Sequence, residues 1–164
     1  MYGIPLLISG TLYDIFSKDV QKYCRKIDVV TIKGNSKPIS LYTSDCDFSH
    51  FILGQFTSRR KELYARKNKF LKKKLEKGEV TTGQIFAKSH ELALMRRNFA
   101  ADFFISFKTG MKFYLAGEWV EAKTYFEKSL DLKNKDGPSL CIQSFMKEYN
   151  FQCPSIWKNY RPLG

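Results

Sequence analysis

The run from Arg25 to Ile32 limits what this chain can fold into more than any other feature of it. It alternates, with Ile27, Val29 and Thr31 on one side and Asp28, Val30 and Ile32 on the other. Val and Ile on both faces suit a strand that is covered on both sides. Lys33-Gly34-Asn35-Ser36-Lys37-Pro38 is a turn by composition, and Ile39 to Thr43 resumes as a strand, so the two pair as a hairpin. Upstream, Ile4 to Ser9 is an apolar run suited to a buried strand, and Leu12, Ile15 and Phe16 fall three and four apart, as in a short helix. A strand, a helix and a hairpin leave apolar surface on two faces and open sheet edges. Residues 1–44 therefore read as the end of a domain whose beginning lies elsewhere.

The remainder follows helical periodicity. Asp45 to Ser58 is loosely patterned, with Phe48, Phe51, Ile52 and Phe56 as docking anchors. Arg59 to Lys77 lacks Pro and Gly, and Tyr64, Leu71 and Leu75 make a narrow apolar stripe, with Leu63 and Phe70 beside it. Helices are expected over Gln84 to Arg97, Ala100 to Leu115, Glu118 to Leu132 and Leu140 to Tyr149, followed by an extended tail with Pro154 and Pro162. The chain reads as α+β in three parts: an N-terminal β-α-β-β segment over 1–44, a basic helical linker over 45–83, and a mostly helical region over 84–164.

Charge is distributed as unevenly as structure. The net charge is +12, and Arg59 to Lys77 holds ten basic and two acidic side chains, so eight of those charges sit in one segment. Its basic patch comprises Arg59, Arg60, Lys61, Arg66, Lys67, Lys72, Lys73 and Lys74. A solvated face accounts for such a run without any partner. An anionic membrane surface or calmodulin would also suit a basic amphipathic helix, and nucleic acid suits it least, since no nucleic-acid-binding fold surrounds it. Cys24, Cys46, Cys141 and Cys153 stand apart with no Cys-x-x-Cys pair, and of the two histidines only His50 lies near one, Cys46, while His90 does not, so the clustered ligands of a zinc site are not present. Four reduced thiols in a cytoplasmic protein are the expectation. No stretch approaches the ~20 apolar residues of a membrane span, and Ile4 to Ile8 is too short for a signal peptide.

Two motif blocks resemble known families. With Gly110 at the small-residue position of a tetratricopeptide repeat, Phe113 falls on the aromatic position of the first helix, Gly117 in the turn, and Ala122 and Phe126 on the small and aromatic positions of the second. Ser129 and Asn134 depart from the usual Ala and Pro, and a generic helical hairpin would satisfy the same spacing. A repeat of this kind implies a protein partner, with Phe113, Trp119, Tyr125 and Phe126 as its contact residues.

Gly3-Ile4-Pro5-Leu6-Leu7-Ile8-Ser9, Leu12-Tyr13-Asp14, Cys24-Arg25-Lys26-Ile27-Asp28-Val29-Val30-Thr31-Ile32-Lys33-Gly34 and Pro38-Ile39-Ser40-Leu41-Tyr42 occur in that order. Together they resemble the closing segment of a class III adenylate or guanylate cyclase catalytic domain. Gly117-Glu118-Trp119, Ala122, Tyr125-Phe126, Asp136-Gly137-Pro138-Ser139 and Pro154-Ser155 through Trp157-Lys158 to Tyr160-Arg161 resemble the C-terminal tail of protist members of that family. The resemblance implies synthesis of cyclic AMP or cyclic GMP by an intact parent, of which this chain is the C-terminal part. It also implies a cytoplasmic location at a membrane's inner face or in a cilium. The family's two metal-binding aspartates, which hold Mg²⁺ or Mn²⁺, and its catalytic Asn and Arg would precede Met1. This chain therefore carries no catalytic residue, metal ligand or cofactor of its own and needs the remainder of a catalytic domain as partner. Lys33 matches the family lysine that reaches the nucleotide's terminal phosphates, although an exposed hairpin lysine reads the same way. The rival reading is a non-enzymatic tetratricopeptide-type adaptor or scaffold.

Overall fold

Strand β2 (Arg25–Ile32) and strand β3 (Asn35–Thr43) form the expected antiparallel hairpin, closed at Lys33-Gly34 where Gly34 takes φ +87°. In the computed structural model, which describes residues 1–48 and 57–163, this hairpin is the centre of a four-stranded mixed sheet. One outer neighbour is the two-residue strand β1 (Ile8–Ser9), paired with β3 through Ile8–Tyr42 and Ser9–Leu41. The other is β4 (Arg161–Leu163), which runs parallel to β2 with Val30 opposite Arg161 and Ile32 opposite Leu163. The tail thus supplies a fourth strand where only an extended segment was expected.

The β2 strand is not covered on both faces by simple alternation. Its pairing with β3 shifts register between Lys26 and Asp28, and Arg25, Ile27, Asp28 and Val30 are all buried. A bulge inserts one residue and resets the phase of the strand, so residues of both parities reach the interior. Lys26, Val29 and Thr31 are half-buried, and Ile32 is 47% exposed.

Short helices α1 (Gly10–Ile15) and α2 (Lys18–Gln21) join β1 to β2. A capped helix α3 (Ser58–Glu76) carries the basic run; Thr57 Oγ1 accepts from Arg60 N, and the helix buries none of its residues. The single helix expected from Gln84 to Arg97 is two, α4 (Thr82–Lys88) and α5 (His90–Arg96), divided at Ser89. Ser89 ends α4 in extended conformation, and its hydroxyl caps α5 by accepting from Leu92 N. Thr81 and Gln84 complete a capping box at the start of α4. Helices α6 (Ala101–Ala116), α7 (Trp119–Leu132) and α8 (Gly137–Glu148) follow close to the expected bounds.

Helices α6 and α7 pack as an antiparallel hairpin for the reasons the spacing predicts. A Cβ on Gly110 would come within 3.1 Å of the Phe126 ring, and Gly117 ends α6 in the left-handed region at φ +86°. Phe107, Met111 and Tyr114 of α6, Trp119, Ala122 and Phe126 of α7, and Ile142 and Met146 of α8 share one apolar cluster with Tyr2, Ile27, Val30 and Leu41. The sheet and the helical region are therefore one core. Phe48, expected to dock, is 53% exposed, whereas Phe51, Ile52 and Phe56 lie outside the described residues.

Gly137 sits where α8 begins, directly against the backbone of Tyr2 and Gly3. A methyl group there would overlap the Tyr2 carbonyl, and main chain relaxes poorly. Gly137→Ala is expected to destabilise the fold by about 1–3 kcal/mol, read as a lower urea midpoint with an unchanged m-value.

Candidate functional site

Arg25, Asp28, Asp136 and Arg161, all quoted from the motif blocks, meet Asp45 and Tyr2 in the interior as two buried charge clusters. In the first, Arg25 is held between two carboxylates: Nη2 donates to Asp45 Oδ1 at 2.6 Å and to Asp136 Oδ1 at 2.7 Å, while Nε donates to Asp45 Oδ2 at 2.9 Å. Its guanidinium lies 4.1 Å from the Phe107 ring centroid and 4.8 Å from that of Phe103. Burial would lower the Arg25 pKa, but the hydrogen bonds to Asp136 and Asp45 outweigh it and raise the value. Asp136 also caps α8, accepting from Ser139 N at 3.0 Å and from Ser139 Oγ at 2.6 Å. The motif Asp136-Gly137-Pro138-Ser139 is thus explained by position: a cap that doubles as an ion-pair partner, a close backbone crossing, and Pro in the first helical turn.

In the second cluster Arg161 Nε donates to Asp28 Oδ2 at 2.6 Å, and Arg161 Nη2 donates to Tyr2 Oη at 3.0 Å. Tyr2 Oη donates to the same Asp28 oxygen at 2.7 Å, and Val29 N donates to Asp28 Oδ1 at 2.7 Å. Burial and the Asp28 charge push the Tyr2 phenol well above its ordinary value; burial pushes Tyr114 up as well, and its buried hydroxyl has no hydrogen-bond partner among the described residues. None of these six network residues had been singled out by sequence reasoning as site residues. Charge and alternation alone do not pair Arg25 with Asp136 across 111 positions.

The sequence-predicted residues are scattered. Lys33 lies exposed on the β2–β3 turn. Of the four expected contact residues, Trp119 and Phe126 are 1% and 0% exposed. They cannot meet a partner, because the indole is packed against Tyr114, Phe145 and Trp157, and Phe126 against Phe107. Phe113 and Tyr125 do remain half-buried at the surface, stacked at 5.5 Å. Arg59, Arg60, Lys61, Arg66, Lys67, Lys72 and Lys73 are all exposed along α3, with Lys74 half-buried over the Phe70 ring. Among the described residues no three His, Cys, Asp or Glu side chains are placed to hold a metal ion, and all four cysteines are free. No helix of the described residues is long and apolar enough to cross a membrane.

A cleft of 670 Å³ opens between α6 and the start of β2. Phe104, Phe107, Met111 and Leu115 supply one apolar wall from α6, and Tyr13 and Tyr42, stacked at 3.9 Å, supply another. Lys22, Lys26, Lys108 and Lys112 also line it, together with Arg96. Arg96 is fixed from below, with Nη1 donating to Tyr23 O at 3.2 Å and Asp45 O at 3.3 Å and the guanidinium against the Tyr23 and Phe104 rings. Sequence reasoning missed this cleft, whose walls come from α1, the β2–β3 hairpin, α5 and α6.

Two outcomes follow from the charge clusters. Arg25→Met leaves Asp45 and Asp136 buried and facing one another, and should cost about 3–5 kcal/mol in chemical denaturation. Tyr2 holds its proton more tightly folded than unfolded, so its contribution to stability is present below pH ~10 and is lost as pH rises beyond it. Wild type should therefore lose more stability than Tyr2→Phe between pH 9 and pH 11, measured by urea midpoints; equal losses would remove Tyr2 from the linkage.

No protein-family model, curated protein or solved structure matches the chain.

Proposed function

We propose that this chain is the C-terminal part of a class III nucleotide cyclase, completing a catalytic sheet whose other strands precede it and making no cyclic nucleotide alone. The observation that supports this reading is an apolar patch at the N-terminal end. Leu6, Leu7, Leu12 and Ile15 are 50%, 53%, 46% and 77% exposed. Beside them, β3 has a strand neighbour on its outer side only at Leu41 and Tyr42 among the described residues. A cluster of exposed large apolar side chains next to an open edge is the signature of a surface that something else covers. The remainder of a cyclase catalytic domain is the occupant this proposal assigns.

In that arrangement Lys33, on its exposed turn, supplies a point charge to the triphosphate of the nucleotide. The buried carboxylates Asp28, Asp45 and Asp136 do not fit a catalytic metal pair: Asp28 is engaged by Arg161 and Tyr2, and Asp45 and Asp136 by Arg25. Mg²⁺ or Mn²⁺ would be held by aspartates of the preceding part, where it would activate the 3′-hydroxyl and stabilise charge on the α-phosphate. The helical region offers the half-exposed Phe113–Tyr125 stack as its protein-contact surface.

The test compares this chain with the product of the whole gene, read through any coding sequence upstream of Met1. Leu7→Asp with Ile15→Asp should leave the melting of this chain unchanged to within about 0.5 kcal/mol, because both side chains are exposed, while abolishing cyclic-nucleotide synthesis by the longer product. Lys33→Ala should raise the longer product's KM for its nucleotide by about tenfold. Cyclic-nucleotide production from ATP or GTP by this chain alone with Mn²⁺, or a stop codon in frame just ahead of Met1, overturns the proposal.

A further inference from the structure

The cleft between α6 and the start of β2 has no part in the proposed function, although Tyr13, Cys24, Arg25, Lys26 and Tyr42 of its lining fall within the cyclase-like motifs. Its walls and its charges ask for different things. The aromatic and aliphatic side chains of Phe104, Met111, Leu115, Tyr13 and Tyr42 offer an apolar body a dry surface. The lining carboxylate Asp45 is taken up by Arg25, and among the described residues no carboxylate forms an ion pair with Lys26, Lys108, Lys112 or Arg96, whereas Lys22 is paired with Asp19 at 2.8 Å. Lys108 and Lys112 stand four apart on one helix, an arrangement of like charges that works against the helix until an anion lies between them. Arg96 is already oriented by two carbonyls and two rings, so little side-chain freedom is lost when its remaining N–H groups meet an acceptor.

We infer that this cleft binds a small organic anion, an apolar or aromatic body carrying a phosphate or carboxylate, with the body against the α6 and tyrosine walls and the anionic group among Arg96, Lys26, Lys108 and Lys112. The volume of 670 Å³ is that of a small-molecule site. Inorganic phosphate alone leaves the aromatic walls wet, and a neutral hydrocarbon leaves the cations uncompensated; a molecule with both parts satisfies both.

Calorimetric titration of the whole chain at low salt with dodecyl phosphate, adenosine monophosphate, inorganic phosphate and dodecanol tests this. One of the two organic anions should bind at a single site at least about tenfold more tightly than inorganic phosphate or dodecanol, and Lys108→Glu with Lys112→Glu should weaken it by about tenfold or more. Both lysines are exposed, so the doubly charge-reversed chain should keep its melting temperature. Preference for dodecyl phosphate identifies a lipid-derived ligand, and preference for adenosine monophosphate a nucleotide. The inference is overturned if neither organic anion exceeds inorganic phosphate, if charge reversal on α6 leaves the affinity unchanged, or if Arg59→Glu with Arg60→Glu on α3 removes binding instead.

Discussion

Arg25 is the point on which the rest of the molecule is assembled. A buried guanidinium is costly unless its charge and its donors are answered, and here Asp45, just after the hairpin, and Asp136, at the head of α8, answer them together. Asp136 also caps α8, so the ion pair ties the start of that helix to β2. Phe103 and Phe107 close over the guanidinium from α6. One side chain thus sets the distance between sheet and helices, and the second cluster, Arg161 on Asp28 and Tyr2, repeats the device at the other edge of β2.

The legible part of the fold was that with local physical causes. The hairpin, its turn, the α6–α7 pair and the start of α8 follow from alternation, from Gly110 and Gly117, and from the Asp-Gly-Pro-Ser cap. Ser89 is a legible signal inside what periodicity presents as one helix, since serine is a preferred N-cap and its hydroxyl accepts from Leu92 N at the start of α5. The bulge in β2 was not legible: alternation assigns Asp28 to the face opposite Ile27, and both are buried. Nor was β4, three residues long and bearing a proline, which sequence pattern marks only as extended.

The candidate sites divide in the same way. Lys33 and the α3 lysines and arginines stand where a reading of charge and turn composition puts them, on the surface. Trp119 and Phe126 do not, because large aromatics at helix-pairing positions serve the pairing itself, and only Phe113 and Tyr125, offset around the same helices, stay at the surface. The cleft depends on four elements converging, and convergence is a property of the tertiary fold alone.

The parallel pairing of β4 with β2 has a consequence for how the chain folds. Arg161 and Asp28 are 133 positions apart, so the contact that seals this edge of the sheet closes a loop that takes in most of the described residues. Until β4 docks, Asp28 lacks its counter-charge and the β2 backbone its neighbour, while local helices can already form. Assembly of this molecule therefore depends on a long-range closure, slow by topology and exposed to wrong strand partners for as long as β4 is undocked.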